Sequence, residues 1–145
     1  MASVGMCARM LNSTNMPPSS TATFETILVV DDDAMVLRIV VKILEIANFL
    51  VLSAESGPAA LRLAESTDAT IHLLLSDIDM SEMSGADLGK KLKEVRPNVQ
   101  VMLMSGGVNR SHLALTHDWA FIQKPFVPGE LVELVTEVLH SPARV

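Results

Sequence analysis

From residue 26 onward, short apolar runs alternate with longer amphipathic segments. Residues 26–30, 49–53, 70–76, 99–104 and 119–123 are near-continuous apolar stretches of strand length, the pattern of strands covered on both faces. Between them lie segments with helical spacing. The first places Val36, Ile39, Val40, Ile43 and Ala47 on one face, and the last places Leu131, Leu134, Val135 and Val138 on one face, with Pro128 suited to its first turn. A short, poorly patterned segment at 109–116 is expected to hold the fourth helix.

Five strands, each followed by a helix, predict an α/β fold: a doubly wound five-stranded parallel sheet with helices on both faces, because right-handed crossovers leave few other arrangements. A chain of 145 residues supports one core of this kind, and 49% hydrophobic with 19% charged residues suits a compact interior. The folded domain is expected over 25–141, with a short tail at 142–145. Residues 12–23 are rich in Ser, Thr, Asn and Pro, so 1–24 is expected to be a disordered N-terminal arm, with Met10 and Met16 as alternative starts.

Charge narrows the function classes. Net charge is −6, and the eleven Lys and Arg residues are scattered except for Lys90, Lys91, Lys93 and Arg96, whose helical spacing fits a solvated face. Direct nucleic-acid binding is therefore not expected. Cys7 has no partner for a disulfide within the chain, no run reaches transmembrane length, and the opening residues lack a signal-peptide core. A cytoplasmic protein without membrane contact is expected.

The polar residues that break the pattern fall at strand ends. The first strand ends in Asp31, Asp32 and Asp33, the third in Asp77, the fourth in Ser105 and Gly106, and the fifth near Lys124 and Pro125. In open parallel sheets, ligands bind beyond the carboxyl ends of the strands. Each residue alone has an ordinary structural reading, and Asp33 is read as the N-cap of the first helix. Their joint placement at four strand ends points to a site. Two carboxylates about 4 Å apart repel by roughly 4 kcal/mol at an effective dielectric near 20, so a cation or a proton must neutralise them. An all-oxygen site with room for water and phosphate favours Mg²⁺, with Mn²⁺ the alternative, and Lys124 adds a second positive charge.

These residues resemble the receiver domain of two-component response regulators, over residues 26 to 140. ILVVDDD is similar to the family's acidic pair, LLLSDIDMSEMSG to its phosphoacceptor loop, VMLMSGG to its hydroxyl-bearing strand end, and FIQKPF to its lysine-proline signature. The resemblance implies a flavodoxin-like sheet of order 2-1-3-4-5. It implies Asp77 as phosphoacceptor and a metal bound by Asp32, Asp77 and the backbone carbonyl of Asp79, with Asp31 acting through water. Ser105, the Gly106 amide and Lys124 would bind the phosphate. Ser105 and Phe121 would be the switch pair, the Lys124–Pro125 bond would be cis, and Asp79 and Gly107 would flank the phosphate entrance and modulate phosphoryl lifetime. The implied donor is a histidine kinase or a histidine phosphotransfer protein. With no output domain expected after residue 140, signalling would pass to an unknown protein target through the last two helices and last strand. Two positions depart from the family pattern, Ser81 where Pro is usual and Ser84 where Asp or another polar residue is usual, which puts loop rigidity in question.

Two rival readings compete with this one. Asp77-Ile78-Asp79-Met80-Ser81 also fits the D-x-D-x-[ST] motif of the haloacid dehalogenase phosphatases, but that family carries its nucleophile on the first strand and its acidic pair after the lysine. After Lys124 only Glu130, Glu133 and Glu137 remain, on a helix. A pseudo-receiver, folded but not phosphorylated, is the second rival. His72, His112, His117 and His140 share no metal-ligand spacing and are read as surface or structural residues.

Overall fold

The structure, a computed structural model, describes residues 24–106 and 117–140. Five strands form one parallel sheet: β1 (Thr26–Val30), β2 (Leu50–Ala54), β3 (Leu73–Asp77), β4 (Gln100–Ser105) and β5 (Ala120–Gln123). Their order is β2-β1-β3-β4-β5, the order the resemblance implied. Four described helices pack on the sheet: α1 (Ala34–Ile46), α2 (Gly57–Ser66), α3 (Gly85–Val95) and α4 (Pro128–His140). The helix expected at 109–116 lies outside the described residues.

Alternation along the strands builds two cores. Leu28, Val30, Leu74, Val101 and Leu103 face α2 and α3, packing on Ala60, Ala64, Leu88 and Leu92. Ile27, Val29, Leu73, Leu75, Met102 and Met104 face the other way, onto Leu37, Val40 and Leu44 of α1 and Leu131, Val135 and Val138 of α4. Side chains alternate faces along a strand, so a run such as Ile27-Leu28-Val29-Val30 must be apolar throughout to serve both layers.

Helix boundaries follow local chemistry. Asp33 caps α1 as expected, its carboxylate accepting from the amides of Met35 (3.0 Å) and Val36 (3.3 Å). Ser56 caps α2 and Ser84 caps α3, accepting from Ala59 and Asp87 at 3.1 Å each. Ser84, one of the two departures from the pattern the chain resembles, thus serves as a cap.

Three expectations are corrected. The buried stripe of α1 is Leu37, Val40 and Leu44, not the face centred on Val36, Ile39 and Ile43; Ile39 is 53% exposed. The helix is apolar almost all round, so spacing alone did not single out the face. Residues 70–72 precede β3 instead of belonging to it, and His72 takes a backbone role: its Nδ1 accepts from the Thr26 amide at 3.0 Å. Arg96 and Lys93 are not merely solvated. The Arg96 guanidinium donates to the carbonyls of Ala64, Thr67 and Ala69 at 2.8–2.9 Å, and Lys93 Nζ donates to Val99 O at 2.5 Å. These bonds tie the carboxyl end of α3 to that of α2 and to the start of β4.

Candidate functional site

Parallel strands all end on the same side, so β1, β3, β4 and β5 deliver their last residues to one edge. Asp31 follows β1 directly, Asp77 is the last residue of β3, Ser105 the last of β4, and Lys124 follows β5. Carboxylate oxygens of Asp31, Asp32 and Asp77 lie within 4.8 Å of one another. Asp31 and Asp77 are buried, 1% and 7% exposed, while Asp32 is open to solvent.

Lys124 reaches across the edge to both buried carboxylates, its Nζ 2.9 Å from Asp31 Oδ2 and 3.1 Å from Asp77 Oδ1. The other oxygen of Asp31 accepts from the Asp33 amide at 2.9 Å, which holds the acidic turn against the cap of α1. Burial pushes the Asp77 carboxyl above its ordinary range; Lys124 pulls it back by charge and hydrogen bond, while Asp31 and Asp79 add to the rise. For Lys124, burial works against the charge, but the hydrogen bond to Asp31 and the charges of Asp77 and Asp31 outweigh it, and its pKa is raised.

Three carboxylates facing one ammonium leave two positive charges wanting, the charge of one divalent cation. The donors are all oxygen, two of them fixed by burial and one solvent-facing, which suits a hard ion that keeps part of its water. The residues present therefore fit Mg²⁺.

The surrounding groups are placed by backbone bonds. Lys124 N donates to Ser105 O at 2.8 Å, locking the ends of β4 and β5 together. Ser105 is buried and shares the pleat side of Leu103, which pairs with Phe121. Phe121 is half-buried on the α2–α3 face, packed on that core. Gly106 follows Ser105 beside the Lys124 side chain. The Lys124–Pro125 peptide bond is cis. Asp79 is exposed in the loop after β3, and Gly107 lies outside the described residues.

One residue of the site escaped the sequence reading. A Cβ on Gly85 would lie 2.3 Å from the carbonyl oxygen of Asp77 and 3.1 Å from Ile78 Cα, so only glycine lets α3 start this close beneath Asp77. The signal was a glycine eight residues after an aspartate at a strand end, immediately before a helix.

Fold and site together define a doubly wound α/β domain with an acidic cluster and a lysine at its carboxyl edge. The chain belongs to the response regulator receiver domain family, whose model matches residues 27–136. It is 33% identical over 118 residues to the response regulator receiver protein CpdR of Brucella abortus (strain 2308), covering 78% of this chain and 95% of CpdR. It is 32% identical over 122 residues to the transcriptional regulatory protein ResD of Bacillus subtilis (strain 168), covering 81% of this chain but 49% of ResD. As with ResD, the chain spans half or less of several other curated relatives it matches. Among solved structures, a CheY-like receiver domain protein from Methanospirillum hungatei JF-1 matches with a TM-score of 0.72 and 30% identity, over 81% of this chain and 94% of that one. Membership in this family sets aside the phosphatase reading. The domain is a signalling receiver of two-component systems, and the acidic cluster is of the kind that binds Mg²⁺ in such domains. No described helix is long and apolar enough to cross a membrane.

Proposed function

We propose that Asp77 accepts a phosphoryl group from a histidine kinase or histidine phosphotransfer protein, and that the phosphorylated chain signals through binding a protein partner in the cytoplasm. The observation that carries this reading is the buried Asp77 carboxylate, held 3.1 Å from the Lys124 ammonium and within 4.8 Å of two further carboxylates. In the transfer, a carboxylate oxygen of Asp77 forms the new bond to phosphorus as the bond to the donor's imidazole nitrogen breaks. The nitrogen keeps the bonding pair and takes up a proton from water. Lys124 offsets the negative charge of the phosphoryl oxygens, and the Ser105 hydroxyl and Gly106 amide donate to them. Such transfer depends on positioning and charge neutralisation more than on covalent chemistry by the protein.

The cation site is assigned to Asp32, Asp77 and the carbonyl of Asp79, with Asp31 acting through water. Mg²⁺, or Mn²⁺ in its place, would neutralise the carboxylates and the incoming phosphoryl oxygens. After transfer, Ser105 moves toward the phosphoryl group and Phe121 follows it inward, which alters the β4–β5 side of the domain. Asp79, in the loop just after Asp77, bears on water's access to the acyl phosphate and so on its lifetime, a role the resemblance extends to Gly107.

The test is incubation with acetyl phosphate and Mg²⁺, followed by intact mass measurement. The expected product is a single phosphoryl adduct that hydroxylamine removes and that Asp77→Asn abolishes. An adduct that persists in Asp77→Asn would place the acceptor elsewhere.

A further inference from the structure

The loop between β3 and α3 follows Asp77 directly, carries Asp79 and is pinned at both ends. Ile78 N donates to Met104 O at 2.9 Å, and Gly85 N donates to Ile78 O at 3.0 Å. The intervening residues Asp79 to Ser84 are not strand or helix, and among them Met80 and Met83 pack on the α2–α3 core. Met83 also meets the start of α2. It lies over Gly57, the first residue of α2, so closely that a Cβ there would be 2.8 Å from Met83 Sδ and 2.9 Å from Met83 Cβ.

This contact joins the two flanks of the acidic cluster. Gly57 begins the helix that follows β2, and Ala54, the last residue of β2, accepts from the Asp31 amide through its carbonyl at 3.3 Å. One flank therefore runs from Asp31 and Asp32 through Ala54 to Gly57, and the other from Asp77 through Asp79 to Met83. The two meet where a methionine fits against a bare backbone. Because the close approach includes Met83 Cβ, which moves only with its own backbone, the spacing cannot be relaxed by a rotamer change alone.

We propose that Met83, seated on Gly57, is a positioning residue for the cation: it sets the separation of Asp77 and the loop bearing Asp79 from the corner bearing Asp31 and Asp32. The inference rests on the reading that these aspartates hold Mg²⁺. It assigns to a remote thioether a role of the kind that groups supporting metal ligands play, whose loss weakens metal binding about 10-fold to 100-fold.

The experiment is calorimetric titration of the full chain with magnesium chloride, comparing wild type with Met83→Ala, Met83→Leu, Gly57→Ala and the double variant Gly57→Ala/Met83→Ala. Asp32→Asn and Val135→Ala, a core change on the opposite face, serve as references. Met83→Ala and Gly57→Ala are expected to weaken Mg²⁺ binding about 10-fold each, at the lower end of the range for supporting groups. Met83→Leu should stay near wild type. The double variant should lose no more than Gly57→Ala alone, because Ala in place of Met83 keeps the Cβ 2.9 Å from the added methyl while the clash with Sδ is gone, a non-additivity expected of residues in contact. Val135→Ala should lose stability and keep its Mg²⁺ affinity. If wild type binds Mg²⁺, Asp32→Asn loses it, and Met83→Ala and Gly57→Ala match wild type, the positioning role is overturned while the metal assignment stands. If Val135→Ala weakens Mg²⁺ as much as Met83→Ala, general destabilisation explains the effect and the proposal fails. No Mg²⁺ binding by wild type, or binding unaffected by Asp32→Asn, overturns the metal assignment and this inference with it.

Discussion

Replacing Lys124 with Met isolates the charge problem at the centre of the site. The side chain keeps its length and apolar stem, and the ammonium that bonds Asp31 at 2.9 Å and Asp77 at 3.1 Å is removed. Carboxylates within 4.8 Å of each other repel by about 3.5 kcal/mol per pair at an effective dielectric near 20. Removing one partner of a fully buried ion pair costs about 3–5 kcal/mol. Here Asp32 faces solvent, Lys124 is 21% exposed, and Asp77 can take up a proton, so a loss of about 2–3 kcal/mol at neutral pH is expected, without added Mg²⁺. For a domain of this size that lowers Tm by roughly 8 °C.

Two rescues follow from the same charges. Asp77 already has a raised pKa from burial, and losing Lys124 removes the main influence that lowers it. An acid whose native pKa lies above its unfolded value binds its proton more tightly when folded, so stability rises as pH falls through the native pKa toward the unfolded one. The Tm gap between variant and wild type should therefore narrow as pH falls from 7 toward 5. On the proposed cation site, Mg²⁺ should also stabilise the variant more than wild type, since it no longer competes with an ammonium at Asp77 and beside Asp31. The assay is thermal melting followed by circular dichroism, in chelator and with graded Mg²⁺, at several pH values. A variant that melts with wild type in chelator, or a Tm gap indifferent to both pH and Mg²⁺, would refute the electrostatic account.

Gly85→Ala places a methyl against the Asp77 carbonyl, a backbone atom with little room to move, and is expected to cost roughly 2–3 kcal/mol in denaturant unfolding; a loss too small to measure would mean that the α3 start is more pliable than its geometry implies. Arg96→Met removes three bonds to the carbonyls of Ala64, Thr67 and Ala69, and should destabilise by about 2 kcal/mol. Arg96→Lys should rescue little of that, because one ammonium cannot span the three acceptors; full rescue in urea titrations would show that charge alone matters there. Asp79→Asn removes a carboxylate that adds to the negative field at Asp77, and should change the decay rate of the acetyl-phosphate-derived adduct severalfold. An unchanged decay, followed by mass spectrometry, would remove Asp79 from the control of lifetime.

The fold and the residues of the site were legible in the sequence for one shared reason. Strands buried on both faces leave little ambiguity, since Thr26-Ile27-Leu28-Val29-Val30 has no wet face to offer, and a polar residue at the end of such a run can only lie at the sheet edge. Asp31, Asp77, Ser105 and Lys124 are all of this kind. What stayed hidden depends on contacts between distant segments. In α1 only Arg38, Lys42 and Glu45 interrupt the apolar residues, so the inward face is chosen by how the helix lies on β1 and β3 and not by its own spacing. Arg96 belongs to a basic group that looks solvated until the carbonyls of the α2 end are brought beside it. The roles of Gly85 and Gly57 emerge only when the backbone of Asp77 and the side chain of Met83 are brought against them.

The geometry also bears on how a change at Asp77 can travel, on the reading proposed for it. Central strands are held from both sides: β1 pairs with β2 and β3, and β3 with β1 and β4. Among the described residues β5 is an edge strand of four residues paired only with β4, so displacing it breaks the fewest ladder bonds of any strand near Asp77. That strand carries Phe121 and leads into Lys124, and its end is bonded to Ser105 through the Lys124 amide. A phosphoryl group that draws on Ser105 and Lys124 therefore acts on the most easily moved strand, while the acidic turn after β1 and the start of α3 stay fixed by the Asp33 amide and by Gly85. On the proposed reading, the side assigned to the cation is rigid and the side assigned to the phosphate loosely held, so one covalent event at Asp77 would shift the β4–β5 edge.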